Sequence, residues 1–190
     1  MRSDPAENSR KLYVIASGQA GYFTAKQAEV AGYNTRLQHF HRQRGNWDHI
    51  ERGIFRLRNF PESRWEDMVR WSLWSRDRKG NVRAVVSFET AAMVHELADY
   101  LPAKTHLIVP PNFHKVKVEG CILHRAIMPS GDILQQDGFL ITTPFRTLQD
   151  LMRAGDRDQL PIAINQADRR GLISRSQKDT LWSVIKTGPR

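Results

Sequence analysis

The chain has 190 residues, 40% of them hydrophobic and 9% aromatic, enough apolar content for one large domain or two small ones and too much for wholesale disorder. Its single cysteine, Cys121, excludes an internal disulfide and a thiolate-rich zinc site and suits a reducing compartment, so a cytoplasmic location is expected. A formal net charge of +9 favours a polyanionic partner, nucleic acid ahead of a membrane surface, and the longest apolar runs, AVVSF and HLIVPP, are too short to cross a bilayer.

The opening residues, MRSDPAENSRKLYVIASG, carry Asp4 and Glu7 and lack the apolar core of about seven residues that a signal peptide needs. The span from Glu7 to Ala16 predicts a helix with Leu12, Ile15 and Ala16 on one face, ended by Gly18 and Gly21. Thr24 is an N-cap for a second helix, Ala25 to Ala31, and Gly32 stops it. Asn34 caps a third helix from Thr35 to about Arg44, closed by Gly45. Trp47, Ile50, Ile54 and Leu57 then fall in two extended runs around Glu51-Arg52-Gly53, a hairpin signal with glycine where positive φ is needed. Helix, short helix, helix, hairpin is the order of a winged helix-turn-helix.

Asn59-Phe60-Pro61 breaks the pattern and marks an expected junction between residues 1–60, the winged-helix segment, and residues 61–190. The first segment carries ten Lys/Arg against five Asp/Glu, the second nineteen against fifteen, so positive charge is concentrated before the junction. Ser63 and Glu66 form a capping-box pattern that opens a helix to about Arg76. Trp71 and Trp74 on it are expected to pack against neighbouring elements rather than bind a ligand. Ser87 caps a helix over Phe88 to Leu97. Short strands are predicted at His106–Pro110, Lys115–Val118, Cys121–Ala126, Ile133–Gln135 and Phe139–Thr142. Thr143-Pro144 opens a helix over Phe145–Met152, and two more follow over Asp158–Arg169 and Ser176–Ile185, the last with a Ser174/Gln177 capping box. The fold class is therefore α+β: a winged helix-turn-helix followed by a mixed domain with a small sheet and packed helices.

The third helix carries the chemistry. Leu37, Phe40 and in part His41 are expected to face inward, with Thr35, Arg36, Gln38, His39, Arg42 and Gln43 outward. Arginine bonds guanine O6/N7 and glutamine bonds adenine N6/N7 in the major groove. The first turns of such a helix reach base edges, so Thr35, Arg36, Gln38 and His39 are the candidate readers. Arg42 and Arg44 are placed for phosphates. Arg52 at the hairpin tip, with Arg56 and Arg58 behind it, is placed for phosphate or minor-groove contact. An ordinary solvated basic face accounts for the charge but not for a hairpin following the helix with almost no gap.

The run GYFTAKQAEVAGYNTRLQHFHRQRGNWDHIERGIFRL resembles the N-terminal winged helix of the AbiEi family, antitoxins of type IV toxin–antitoxin systems. Gly21, Phe23, Thr24, Ala28, Gly32, Leu37, Gly45, Arg52, Gly53, Phe55, Arg56 and Leu57 carry the likeness, while His41 stands where an aliphatic residue is usual. Further on, SFETAAMVHEL, the HLIVP strand, ILHRA and TTPFRTLQDL are similar to that family's second domain, so the likeness runs from about Leu12 to Ile173. The resemblance implies a DNA-binding autorepressor that counters a nucleotidyltransferase-like toxin encoded beside it. Double-stranded operator DNA is the partner this implies, and a monomer in solution is expected, two copies meeting on inverted repeats. The second reading is a winged-helix module used for protein or RNA contact.

No enzyme is expected. His39, His41, His95, His106, His114 and His124 lack metal-ligand spacing, and neither HExxH nor a glycine-rich phosphate loop occurs. Ser87, Cys121 and Thr143 lack a nucleophile elbow. The Glu-x-Lys of an appended nuclease is missing, so no catalytic residue, metal or cofactor is assigned. Arg146 and Asp150, four apart, read as an intrahelical ion pair. His124-Arg125 reads as structural ahead of a basic surface for a partner.

Overall fold

In the computed structural model, which describes residues 4–115 and 119–187, Asp4 accepts a hydrogen bond from the Ala6 N–H and Pro5 occupies the first helical turn. Helix α1 (Pro5–Ser17) therefore starts earlier than Glu7. The described residues make an α+β fold divided into two compact units, Met1–Val82 with Asp137–Phe139, and Arg83–Gln136 with Leu140–Arg190.

The first unit continues with β1 (Tyr22–Thr24), α2 (Ala25–Val30), α3 (Thr35–Gln43), β2 (Trp47–Glu51), β3 (Ile54–Leu57) and α4 (Glu66–Ser75). Thr24 and Gln27 form a reciprocal capping box that opens α2, and Asn34 Oδ1 accepts from the Leu37 N–H at 3.0 Å to open α3. Gly32 turns the chain between them at φ +98, where a Cβ would lie 2.4 Å from Asn8 Oδ1, so any other residue would be strained. The three strands pair antiparallel in the order β1-β3-β2. Arg52-Gly53 makes the turn between β2 and β3, with Gly53 at φ +75, and the Gly53 carbonyl accepts from the Ala25 N–H at 2.9 Å. That bond ties the hairpin tip to the start of α2. Leu12, Ala16, Phe23, Ala28, Tyr33, Trp47 and Phe55 fill the core beneath.

The boundary between units falls after Val82 rather than at Pro61. The physical reason is an ionic knot. Glu66, in the first turn of α4, accepts from Arg56 Nη2 at 2.8 Å and from the Tyr22 hydroxyl at 3.1 Å, and reaches back to the Ser63 N–H. Arg56 also donates to the carbonyls of Phe60 and Pro61, so the expected junction is hydrogen-bonded into the unit. Burial first, and then the Glu66 charge, push the Tyr22 hydroxyl up to about 12. The capping box at Ser63 is half formed, since Ser63 Oγ accepts from the Trp65 N–H instead of from Glu66.

The second unit holds β4 (Val85–Val86), α5 (Phe88–Val94), β5 (Thr105–Val109), β6 (Cys121–Arg125), a 3-10 turn (Ser130–Asp132), β7 (Ile133–Gln136), β8 (Phe139–Thr142) from Leu140 on, α6 (Pro144–Arg153), α7 (Leu160–Arg169) and α8 (Arg175–Thr187). The sheet order is β6-β5-β4-β8-β7, with β4 antiparallel to β5 and parallel to β8, and β5 parallel to β6. Of the expected strand over 115–118, Lys115 lies in no strand and 116–118 fall outside the described residues. Leu97, Leu148, Leu151, Leu160, Ile164 and Leu181 form the helical core. Ser87 makes no cap hydrogen bond, because Phe88 enters α5 at φ +50. That helix ends before Leu97, as Glu96 takes φ +56 and Arg170 Nη1 caps the His95 and Glu96 carbonyls. Ser174 and Gln177 do form the expected capping box.

With only 12% of its side chain exposed, Arg56 is held as part of the framework. Arg56→Ala should lower stability by about 2 kcal/mol, because it strips charge-assisted hydrogen bonds from Glu66 and two carbonyls. Urea unfolding of the full chain measures this; an unchanged midpoint would show that the knot contributes nothing.

Candidate nucleic-acid interface

The rotation of α3 about its axis decides what this unit presents to solvent. Gln38 Nε2 donates to the carbonyls of Ala25 at 3.1 Å and Tyr33 at 2.8 Å, which turns position 38 inward. One turn on, His41 stacks on Trp47 with ring centroids 4.9 Å apart and planes 16° from parallel. Its Nδ1 lies 3.0 Å from Asn46 Nδ2, which can only donate, so Nδ1 accepts. Burial pushes the His41 imidazole pKa down, which keeps the ring neutral.

Leu37 flanks the inward face, and Phe40 lies about 100° or more round the helix from both 38 and 41. They are 38% and 46% exposed, and no residue of α3 is fully buried. This overturns the expectation that they form the helix's apolar seam. A polar-to-backbone anchor and an imidazole–indole stack replace it.

Thr35, Arg36, His39, Arg42, Gln43 and Arg44 are exposed along the outer face, and Arg52 is exposed at the hairpin turn. Arg36 and Arg52 make no ion pair among the described residues. Arg42 lies over the Phe55 ring at 5.6 Å and Arg44 over the Phe40 ring at 5.4 Å, contacts that orient a guanidinium without neutralising it. His39, Arg42, Gln43, His49 and Arg58 line a shallow cleft of ≈ 300 Å³ beside Trp47.

Two sequence-predicted site residues do not join this surface. Gln38 has spent both amide N–H donors on backbone and cannot offer the donor half of a bidentate adenine contact. Arg56 is committed to Glu66. Arg58, behind the turn, gives Nε and Nη2 to Asp48 Oδ1 at 3.0 and 2.9 Å. The sequence carried a hint of the Arg56 outcome in Glu66, but nothing local linked residues ten apart across a proline.

The second unit has a different character. A cleft of ≈ 600 Å³ is lined by Phe88, Tyr100, His106 and His124 together with Glu89, Asp99, Asp156 and Asp158. His124 stacks on Phe88 at 3.9 Å, and its Nε2 lies 3.2 Å from His106 Nδ1. Arg125 Nη1 donates to the Pro111 and Phe113 carbonyls, so His124-Arg125 is built into the unit. The Arg146–Asp150 pair is present at 2.9 Å and extends to Asp132, also at 2.9 Å, joining α6 to the 3-10 turn. Burial pushes the Asp150 carboxyl up, against the pull of the two arginines that face it. Among the described residues no group of His, Cys, Asp and Glu could hold a metal ion, and no helix is long and apolar enough to cross a membrane.

No protein-family model matches the chain, and no curated protein does. Among solved structures the chain is similar to the RV2827C protein from Mycobacterium tuberculosis, with a TM-score of 0.53 and 14% identity, over 96% of this chain and 73% of that one. At that identity the likeness is one of fold.

Gln38→Ala should lower stability by on the order of 1–2 kcal/mol, through the loss of two hydrogen bonds. Thermal unfolding monitored by circular dichroism reads this directly; a neutral result would remove Gln38 as the anchor of α3. A second prediction concerns pH. Burial lowers the pKa of His41, His95, His106 and His124 from 6.5, so below that value the unfolded chain takes up protons that the folded one refuses. Stability from these groups is complete above about pH 6.5 and is lost as pH falls through and below that value. The Tm should drop between about pH 7.5 and 5.5; a Tm that climbs over this interval would contradict the buried, neutral assignment.

Proposed function

We propose that the first unit is a winged helix-turn-helix that binds double-stranded DNA in a sequence-specific manner, with α3 in the major groove and the Arg52 turn against the phosphate backbone. One observation carries this reading. Among the described residues the unit pairs Arg56 and Arg58 with carboxylates, yet Arg36, Arg42, Arg44 and Arg52, on one exposed helix and the hairpin turn after it, have none. Unpaired guanidinium groups on a narrow helix are what a polyanion needs, and their positive field speeds encounter with DNA. Thr35, Arg36 and His39 lie in the first turns and address base edges, with Arg36 bonding guanine; Arg42, Arg44 and Arg52 address phosphates.

The resemblance to AbiEi antitoxins extends this to an autorepressor that occupies inverted repeats upstream of its own gene, as a monomer until DNA brings two copies together. On that reading the second unit serves in countering a nucleotidyltransferase-like toxin. The competing use of the same surface is contact with RNA or a protein.

A gel shift with the DNA upstream of the gene, set against random DNA and repeated across salt, separates the two uses. Operator binding requires both discrimination between the sequences and a steep log–log salt dependence. Arg36→Ala should cost on the order of 1–3 kcal/mol on the preferred site and relax base choice there. Arg52→Ala should weaken binding to every sequence alike and flatten the salt slope by roughly one unit. Equal loss on preferred and random DNA in Arg36→Ala would remove α3 from sequence reading.

A further inference from the structure

The outward turn of Leu37 and Phe40 leaves two large apolar side chains in the middle of the basic face. On a helical projection Arg36, Phe40 and Gln43 form one row at i, i+4 and i+7, and Leu37 borders it. Arg44 sits over the Phe40 ring at 5.4 Å and restrains it. Phe40 has no place in the core of its own unit, yet it occupies the most prominent line of the helix.

The area is small. Two half-exposed side chains offer on the order of 150 Å² between them, against about 800 Å² per partner for a stable protein interface. Cations at 36, 42 and 44 surround the pair, which also disfavours a second copy of the same face. Against a polyanion the same surroundings are complementary. The major groove displays one apolar group, the C5 methyl of thymine.

We propose that Phe40, bordered by Leu37, reads a thymine methyl in each half of the bound site. This inference rests on the DNA-binding reading and supplies part of its specificity. It assigns sequence recognition to a residue that cannot hydrogen-bond, in place of Gln38, whose amide is spent on backbone. Positions 36 and 40 are about 6 Å apart along the helix, or roughly two base pairs. The thymine therefore lies within about two base pairs of the base that Arg36 addresses.

Replacing thymine by uracil removes the methyl group and keeps every hydrogen-bonding edge. The experiment uses the full chain and its preferred upstream site, with each thymine changed singly to deoxyuridine and affinity read by fluorescence anisotropy. One substitution per half-site should weaken the wild-type protein about fourfold, the factor that accompanies loss of one buried methyl group. Phe40→Ala should bind the thymine and uracil sites alike; Phe40→Leu should retain part of the discrimination. Uracil tolerated at every position, with site preference intact, would overturn the thymine contact while leaving DNA binding in place. An undiminished uracil penalty in Phe40→Ala would move the methyl contact to another residue. Uniform loss of binding to all sequences in Phe40→Ala and Phe40→Leu would make Phe40 a structural residue. Absence of any sequence preference in the wild-type protein would remove the DNA reading and this inference together.

Discussion

Two hydrogen bonds from one amide set the character of the first unit. Gln38 donates to Ala25 and Tyr33, carbonyls at the start of α2 and in the turn before α3, and so fixes both the spacing of the two helices and the roll of α3. Each such bond contributes only about 1 kcal/mol net, but the two act together on one side chain. The rest follows from the roll. His41 falls against Trp47, Leu37 and Phe40 turn to solvent, and Arg36 lands at the centre of the outer face.

Charge is sorted on the same unit by what each arginine can reach. Arg56 points from β3 toward the first turn of α4, where Glu66 receives it with 27% of its own side chain exposed, and the pair is tight enough to carry Tyr22 with it. Arg58 meets Asp48 across the β2–β3 pair, at a more exposed position where an ion pair contributes little. Among the described residues Arg42 and Arg44 of α3 have rings beneath them, and Arg36 and Arg52 make no ion pair. An aromatic face orients a guanidinium and leaves its charge available.

The second unit places its ionic groups differently. Arg146 lies between Asp132 and Asp150 with 10% of its side chain exposed, and Arg170 closes the end of α5. Arginine there is a fastener between elements. Its cleft is walled by carboxylates and by the stacked rings of Phe88, His124 and His106. Phe88 holds that stack from a left-handed backbone at φ +50, a conformation a bulky residue adopts only where its surroundings over-determine it.

The sequence by itself determined the elements whose causes are local. Asn34, Thr24, Thr143 and Ser174 cap the helices they were expected to cap, and Arg52-Gly53 turns the hairpin. β1 and β4 left no trace, since strands of three and two residues carry no period, yet β4 is the central strand of its sheet. Of the candidate interface, Thr35, Arg36, His39, Arg42, Arg44 and Arg52 were legible as residue types at outward positions. Gln38 and Arg56 were misplaced for one physical reason: periodicity sorts side chains by hydrophobicity, whereas each of these found distant hydrogen-bond partners that only the folded chain brings within reach. Contacts of the same kind hold the chain after Pro61 in the first unit as far as Val82, and with Gln38 and His41 turned inward Phe40 stands at the surface.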